Sequence, residues 1–165
     1  MTPITGTVAS LHLHPVKSGE PLRAVNSIEV VAERGILDNG RYFGRLSRST
    51  AQPSKRQVTL MEREQIAEHA TALGLETISP GLVRSNIETS GVDLIALIGQ
   101  QVRVGEALLF FFEARTPCEK MDRICQGLRA LMDERRQGVL AQVVRGGAIR
   151  VGDAIVPSGP RPRKV

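Results

Sequence analysis

The sequence predicts a mainly β fold with a few helices, folded as a small barrel. The clearest observation is that two short segments, residues 139–143 and 149–151, alternate apolar residues with others. Each segment is followed by a pair typical of tight turns, Gly146-Gly147 after the first and Gly152-Asp153 after the second. Short alternating segments joined by tight turns are the pattern of antiparallel strands in a barrel.

Length and composition indicate one globular domain. The chain has 165 residues, of which 41% are hydrophobic and 24% charged, as in an ordinary folded protein that buries a sizeable core. We predict a single domain over residues 1–156. Residues 157–165 are basic and rich in proline, which predicts a disordered tail.

Cysteine content and hydropathy bear on the compartment. Two cysteines in 165 residues cannot form a disulfide framework, and no apolar run is long enough to cross a bilayer. The first residues also lack the basic and apolar regions of a signal peptide. We therefore expect a cytoplasmic protein with no membrane contact.

The charge balance predicts an anionic ligand, because 22 Lys and Arg against 17 Asp and Glu leave a net charge of +5. Nucleic acid is not favoured, since one Tyr, four Phe and no Trp offer no platform for stacking bases. Discrete anion pockets are expected instead. The sequence contains no Walker loop, no G-x-G-x-x-G and no G-x-S-x-G, so phosphoryl transfer, Rossmann-type binding and serine hydrolysis have no support.

Polar groups that suit an anion follow the first predicted strand, Gly6 to Val16. Lys17 and Ser18 place an ammonium and a hydroxyl beside the backbone N–H groups of a loop. Further on, Asp38-Asn39-Gly40-Arg41 predicts a hairpin turn that would place Arg41 at the start of the next strand. Taken singly, each of these features is also typical of a solvated turn.

The middle of the chain predicts a strand that runs into a helix. Thr59 and Glu62 have the spacing of a capping box, and Gly74 follows the last predicted helical turn. Within this helix, His69 is expected on the solvated side. The polar segment before it, Ser47 to Lys55, predicts a loop.

A second polar pair is predicted in an extended segment after Pro80-Gly81. If residues 82–87 form a strand, Arg84 and Asn86 point to the same face, because side chains alternate along a strand. A guanidinium beside a carboxamide can bind a phosphate or a polar heterocycle. An ordinary surface face of a strand is the alternative interpretation.

The chain is organised around Cys118. The apolar run Ala107 to Phe112 predicts a strand, a helical pattern begins after the cysteine, and Arg115 and Lys120 place cations on both sides. The thiolate is the reactive form of cysteine, and neighbouring positive charge favours it. Two interpretations stay open: a reactive or metal-binding thiol, and an inert small residue at an element boundary.

The second cysteine, Cys125, falls on the apolar face of the predicted helix together with Met121 and Leu128. This phase predicts a packing role for it. A zinc site formed by Cys118 and Cys125 is not favoured, because no second pair of ligands has the required spacing.

Taken together, ordered blocks along the chain resemble the MOSC domain, which is found at the C-terminus of molybdenum cofactor sulfurases, in amidoxime-reducing proteins and in 6-hydroxylaminopurine reductases. The resemblance covers about residues 4–156. The blocks are His14 to Ser18, Gly35 to Arg41, Gln57 to Glu62, Gly81 to Ile87, Gly91 to Gly105, Cys118 to Asp122 and Gly138 to Asp153.

The resemblance implies a closed MOSC-type β-barrel akin to the barrel domain of pyruvate kinase. It also implies a molybdenum-molybdopterin cofactor, with Cys118 as a thiolate ligand of molybdenum and Asp122 as a further catalytic residue. The remaining implied site residues would take the phosphate (Lys17, Ser18, Arg41) or face the pterin (Arg84, Ser85, Asn86).

Three functional hypotheses follow. The leading one is an oxidoreductase that reduces small N-hydroxylated compounds with electrons from a separate electron-transfer protein. The second is a sulfur carrier in which Cys118 holds a persulfide delivered by a cysteine desulfurase that depends on pyridoxal phosphate. The third is a non-catalytic domain that binds an anionic metabolite.

Overall fold

A ring of seven strands forms the body of the protein. The computed structural model describes residues 5–17, 19–118 and 120–160. Within these ranges the strands are β1 (Gly6–Leu13), β2 (Arg23–Val25), β3 (Ser27–Val31), β4 (Gly35–Ile36), β5 (Val58–Glu62), β6 (Ile87–Ser90), β7 (Gln100–Val104), β8 (Ala107–Ala114), β9 (Val139–Arg145), β10 (Gly147–Arg150) and β11 (Ala154–Pro160). The α-helices are α1 (Arg63–Ala72), α2 (Lys120–Ile124) and α3 (Leu128–Met132), and short 3-10 helices span Gly40–Tyr42 and Ile95–Leu97.

The barrel closes because its last strand pairs with its first. The strand order around the ring is β11-β7-β8-β9-β5-β6-β1, and the pairing of β11 with β1 completes it. β5 and β6 are parallel, whereas the other neighbours in the ring are antiparallel. β2 extends the sheet beside β1, and β10, β3 and β4 form a separate small sheet. The prediction of a mainly β, closed barrel is confirmed.

Two apolar clusters hold these elements in place. The larger one fills the barrel with inward side chains such as Leu11, Leu109 and Phe111, each at most 1% exposed. The smaller one lies under the helices and joins Ile66 of α1 to Met121 of α2 and Leu128 of α3. Because burying side chains of this size stabilises a fold by about 1.5–3 kcal/mol each, the second cluster anchors the segment that follows Cys118.

The strand before the central cysteine is confirmed, and the helix after it is broken. Gly127 has a positive φ of 93° and separates α2 from α3, so that the predicted single helical face is carried by two short helices. Cys125 lies between them, partly buried against the smaller cluster. Its predicted packing role is confirmed.

The barrel extends beyond the predicted domain boundary at residue 156. β11 continues to Pro160, with Pro157 opposite Val102 and Gly159 opposite Gln101 of β7. Residues 157–160, expected in a disordered tail, are therefore part of the sheet. Residues 161–165 lie outside the described residues.

One predicted turn and one predicted helix cap are wrong. The segment at Asp38–Arg41 is not a hairpin turn, since it leads from β4 into the 3-10 helix Gly40–Tyr42, and Arg41 lies in that helix. Thr59 and Glu62 do not form a capping box, because both belong to β5 and no side chain caps α1. The Glu62 carboxylate instead accepts a hydrogen bond of 2.9 Å from the backbone N–H of Leu94. α1 ends at Ala72, just before Gly74, as predicted.

His69 is also placed differently from the prediction. Its side chain is fully buried, and Nε2 donates to the carbonyl oxygen of Arg136 over 2.8 Å. Burial lowers the pKa of His69, so the ring is neutral at pH 7. The histidine is thus a link between α1 and the segment that leads into β9.

No helix in the described part of the chain combines the length and apolar character needed to cross a bilayer.

Candidate functional site

A cleft of about 550 Å³ opens at one end of the barrel. Its walls come from residues just after β1 and β8 and just before β6 and β9, namely His14, Cys118, Asn86 and Gln137. β1 and β6 are antiparallel, as are β8 and β9, so the end of one strand lies beside the start of its neighbour. These four residues therefore meet at the same rim of the barrel. The polar segment between Tyr42 and Gln57 contributes further lining residues.

The described lining is cationic. No Asp or Glu is among the described residues that line the cleft, whereas six side chains carry positive charge. The cations are Arg45, Arg48, Arg56, Arg84, Arg115 and Lys120. A concave site with one sign of charge concentrates ions of the opposite sign, so the cleft is suited to an anion.

Cys118 lies in this cleft with its side chain exposed. Its position is set from both sides, because β8 ends at Ala114 and α2 begins at Lys120. The carbonyl oxygen of Cys118 accepts a hydrogen bond of 3.0 Å from the N–H of Met121, whose side chain is buried in the smaller apolar cluster. A thiol is thereby held at a fixed point of the cationic wall.

Arg115 brings a charge into the cleft that no described carboxylate neutralises. Its guanidinium donates to three neutral oxygens, the Ser85 hydroxyl at 2.7 Å and the carbonyls of Val83 and Arg84 at 3.1 and 3.2 Å. Burial lowers the pKa of Arg115 to about 10, and Cys118 acts in the opposite direction. The guanidinium is therefore protonated at pH 7 and electrostatically coupled to Cys118.

Arg84 reaches the cleft from a strained backbone, not from a strand. Residues 84–86 precede β6, which begins at Ile87, and Arg84 has a φ of 62°, in the left-handed region that side chains rarely adopt. The predicted strand face shared by Arg84 and Asn86 is therefore wrong. In this conformation the carbonyls of Val83 and Arg84 both turn toward Arg115, which offsets part of the strain.

Asn86 lies at the cleft wall, but its amide is occupied by the protein. Nδ2 donates to the carbonyl of His12 and to Oδ1 of Asn39, each at 3.1 Å. Oδ1 accepts from the backbone N–H and the hydroxyl of Thr59, at 3.2 and 3.1 Å. Asn86 therefore joins β1, β5 and the segment after β4 into one frame.

His14 contributes an uncharged ring to the cationic wall. Burial, reinforced by Arg84, Arg115, Arg41 and Lys120, lowers the pKa of His14 to about 4. The ring packs against Tyr42 with centroids 4.4 Å apart. At pH 7 the imidazole is neutral and keeps one lone pair free to accept a hydrogen bond.

Of the other predicted site residues, Lys17, Arg41 and Ser85 do not line the cleft. Lys17 is exposed and does not line the cleft, and Ser18 lies outside the described residues. Arg41 is exposed beside the cleft, where its guanidinium donates to the Tyr42 hydroxyl over 3.4 Å. Ser85 is fully buried and accepts from Arg115.

Asp122 is likewise outside the cleft lining. Its carboxylate Oδ1 accepts from the backbone N–H groups of Gly127 and Arg129, at 3.2 and 3.1 Å. These two bonds satisfy donors at the start of α3. Asp122 therefore stabilises the connection between α2 and α3.

Sequence reasoning missed several lining residues, among them Arg45, Arg56 and Gln137. These residues are scattered over almost a hundred positions and have no motif around them. For Arg115 the sequence gives a usable signal, because this cation lies two residues before the Pro117-Cys118 pair.

The fold and the cleft together define a class of protein: a closed β-barrel that holds an exposed thiol within a cationic cleft at its rim. The chain matches the family model of the MOSC domain over residues 28–156 and belongs to that family, as the sequence blocks predicted. No curated protein sequence shows a significant match.

Solved structures agree with this assignment at the level of the fold. The YuaD protein from Bacillus subtilis has a TM-score of 0.77 at 20% identity, over 92% of this chain and 94% of that one. YiiM from Geobacillus stearothermophilus has a TM-score of 0.69 at 16% identity, over 92% and 74% of the two chains. YiiM from Escherichia coli has a TM-score of 0.67 at 18% identity, over 96% and 72%.

The MOSC family is associated with molybdenum cofactor binding, and the donors in the cleft fit that group. Molybdenum prefers soft sulfur ligands, which Cys118 offers from an exposed position. A phosphate needs cations and N–H donors, which the arginines of the lining offer with no carboxylate among the described lining residues. The residues present are thus chemically compatible with the cofactor.

Proposed function

We propose that this protein binds the molybdenum cofactor, molybdopterin, and reduces small N-hydroxylated compounds. The observation that carries the proposal is the position of Cys118, an exposed thiol in a cleft lined by six cations. Cys118 would ligate molybdenum as a thiolate. The cofactor supplies the two-electron chemistry when bound, and the electrons come from a separate electron-transfer protein.

The residues around Cys118 bind and orient the cofactor. Arg115 and Lys120 are close to the thiol in sequence and share its wall, so their charges would attract the anionic part of the cofactor to Cys118. Arg45, Arg48 and Arg56 line the cleft from the polar segment and are available to the phosphate. Lys17, Ser18 and Arg41 remain proposed phosphate contacts, and of these Arg41 lies beside the cleft.

The cleft leaves room for a small substrate, since the Cys118 side chain is exposed rather than covered. Reduction of an N-hydroxyl group cleaves the N–O bond, consumes two electrons and two protons, and releases water. No carboxylic acid is among the described lining residues. Protons would therefore come from solvent that enters the cleft.

The proposal is tested by the molybdenum and pterin content of protein purified from a host that makes the cofactor. Wild type should carry both, and Cys118→Ser should lose most of its molybdenum. Cys125→Ser is the matched control, because that thiol packs against the smaller cluster and lies outside the cleft lining. A wild type without molybdenum, or a Cys118→Ser variant with unchanged content, would refute the proposal.

A further inference from the structure

Two buried polar atoms at the cleft have no hydrogen-bond partner among the described residues. They are Oε1 of Gln137 and Nδ1 of His14, and both residues line the cleft. Gln137 is 1% exposed, so bulk water does not take the place of a partner. Buried polar groups in folded proteins are almost always paired, and an unpaired one at a binding cleft points to a ligand.

Another glutamine at the same cleft shows what a structural role looks like. Gln57 is also buried, yet its Oε1 accepts from the N–H of Val143 at 2.8 Å and its Nε2 donates to the carbonyl of Ser54 at 2.9 Å. Both ends of that amide serve the fold. The carbonyl end of Gln137 serves no described contact.

The backbone around Gln137 is fixed on both sides. The carbonyl of Arg136 accepts from His69 at 2.8 Å, and the carbonyl of Gly138 accepts from the N–H of Arg115 at 3.0 Å. Gly138 also lies so close to the carbonyl of Leu60 that any side chain there would clash. Gln137 is therefore presented to the cleft from a rigid segment.

His14 is held in a similar way. Its backbone N–H donates to Oδ1 of Asn39 at 2.8 Å, and its ring rests against Tyr42. Burial, together with four nearby cations, lowers the pKa of His14 and keeps its ring neutral at pH 7. A neutral imidazole can accept a hydrogen bond at Nδ1.

An anion alone cannot satisfy these atoms. Phosphate and carboxylate oxygens are acceptors, as are an amide carbonyl and an imidazole lone pair, and acceptors repel one another. The cations of the lining match the anionic part of a ligand. The two unpaired acceptors match a different part, one that presents N–H groups.

We propose that Gln137 Oε1 and His14 Nδ1 accept hydrogen bonds from the N–H edge of a heterocycle, so that the cleft selects an amino-substituted pterin over its oxo analogue. This inference rests on the proposed function, since it assigns these residues to the pterin of the same cofactor. It makes both of them determinants of specificity in addition to Cys118.

A pair of free heterocycles tests the inference without molybdenum. The full-length protein, made in a host that cannot synthesise the cofactor, is titrated with 6-carboxypterin and with 6-carboxylumazine, and binding is followed by ligand fluorescence. The two probes carry the same carboxylate, but lumazine has a carbonyl where pterin has an amino group. Wild type should bind the pterin about tenfold more tightly or better, because the wrong probe leaves a buried acceptor unpaired.

Variants assign that preference to residues. Gln137→Leu should lose it and His14→Phe should reduce it. Gln142→Leu is the matched control in β9, since Gln142 is buried but donates to Glu33 and lies outside the cleft lining. It should keep the preference, and urea unfolding verifies that each variant is folded.

Equal binding of the two probes by wild type, or no binding of either, overturns the inference. So does a folded Gln137→Leu variant that still prefers the pterin. Neither probe carries a metal, so their binding is measured independently of the molybdenum content. Loss of molybdenum binding and loss of pterin preference are therefore separate results, and either proposal can fail alone.

Discussion

Arg115 donates a hydrogen bond of 2.7 Å from Nη1 to the hydroxyl of Ser85, a residue that is fully buried. This contact joins the end of β8, next to Cys118, to the segment that leads into β6. It also fixes a protonated guanidinium beside the thiol. The predicted site residue Ser85 thus acts on the cleft through Arg115.

Replacing Ser85 with alanine should therefore destabilise the protein. The variant removes the acceptor of a charged donor, a loss of about 1–3 kcal/mol in the free energy of unfolding. Urea denaturation measures it. Ser49→Ala is the control, because Ser49 is exposed and bonds only Ser47 among the contacts described, and its effect should stay within about 0.5 kcal/mol. Equal midpoints for Ser85→Ala and wild type would contradict this role.

Asn86 offers a test of structural against ligand-binding roles. Asn86→Ala leaves the Thr59 hydroxyl and the His12 carbonyl without their partner, and we expect a loss of about 2–4 kcal/mol in unfolding free energy. The same urea titration, made without cofactor, measures it. A stable Asn86→Ala protein that has lost only its cofactor would show that the pterin, not the frame, depends on this amide.

The stability of the protein should fall as the pH drops from about 6.5 to about 4. The pKa of His14 is about 4 in the folded protein against 6.5 for the free group, so between these values the unfolded chain binds a proton that the folded chain does not. Protonation thus favours unfolding, by on the order of 2 kcal/mol at the lower limit. Above about pH 6.5 the group has no effect.

His14→Gln isolates this contribution. His69 also has a lowered pKa and acts in the same direction, so the difference between variant and wild type is the relevant quantity. The difference in unfolding free energy between pH 7 and pH 4.5 should be smaller for the variant than for wild type. Parallel losses in both proteins would place the pKa of His14 near its usual value.

The cations of the cleft should control retention of the cofactor. Arg84→Gln or Arg56→Gln should weaken binding of the phosphate-bearing cofactor roughly tenfold, because each removes a charge-assisted contact. Added salt should weaken binding further. The measurement is the pterin released from purified protein and detected by fluorescence. Arg23→Gln on β2 is the control, since Arg23 is exposed and outside the cleft lining, and it should retain the pterin of wild type.

Local sequence patterns predict an element correctly where the residues of that segment alone determine its structure. The apolar run that ends before Cys118 forms β8, and Gly74 follows the end of α1, as predicted. The fold class followed from alternation, glycine turns and ordered blocks. Each of these signals lies within a few neighbouring residues, which is why the sequence alone revealed them.

Long-range contacts account for the errors. His69 looked solvated, but a carbonyl 67 positions away accepts its ring proton inside the protein. Thr59 and Glu62 have the spacing of a capping box, yet the Thr59 hydroxyl donates to the Asn86 side chain. The Glu62 carboxylate accepts from the backbone N–H of Leu94. Arg84 adopts a left-handed conformation, and its carbonyl oxygen accepts a hydrogen bond from the guanidinium of Arg115, which follows β8.

The candidate site was predicted in part for the same reason. Cys118 has a local signature, between an apolar strand and a helix, whereas the cleft gathers cations and polar groups from five separate segments. The sequence does not single out Gln137, because its side-chain carbonyl is buried without a partner among the described residues only once the barrel is closed. Asp122 lies shortly after the cysteine, as the resemblance to the MOSC family implies, but its carboxylate accepts a hydrogen bond from the N–H of Gly127 at the start of α3.

Metal analysis of wild type and Cys118→Ser, purified in parallel from a host that makes the molybdenum cofactor, tests whether Cys118 holds molybdenum. Wild type should contain molybdenum and pterin together, and the variant should lose most of its molybdenum. Wild-type protein without molybdenum, or equal amounts in both proteins, would contradict this role of Cys118.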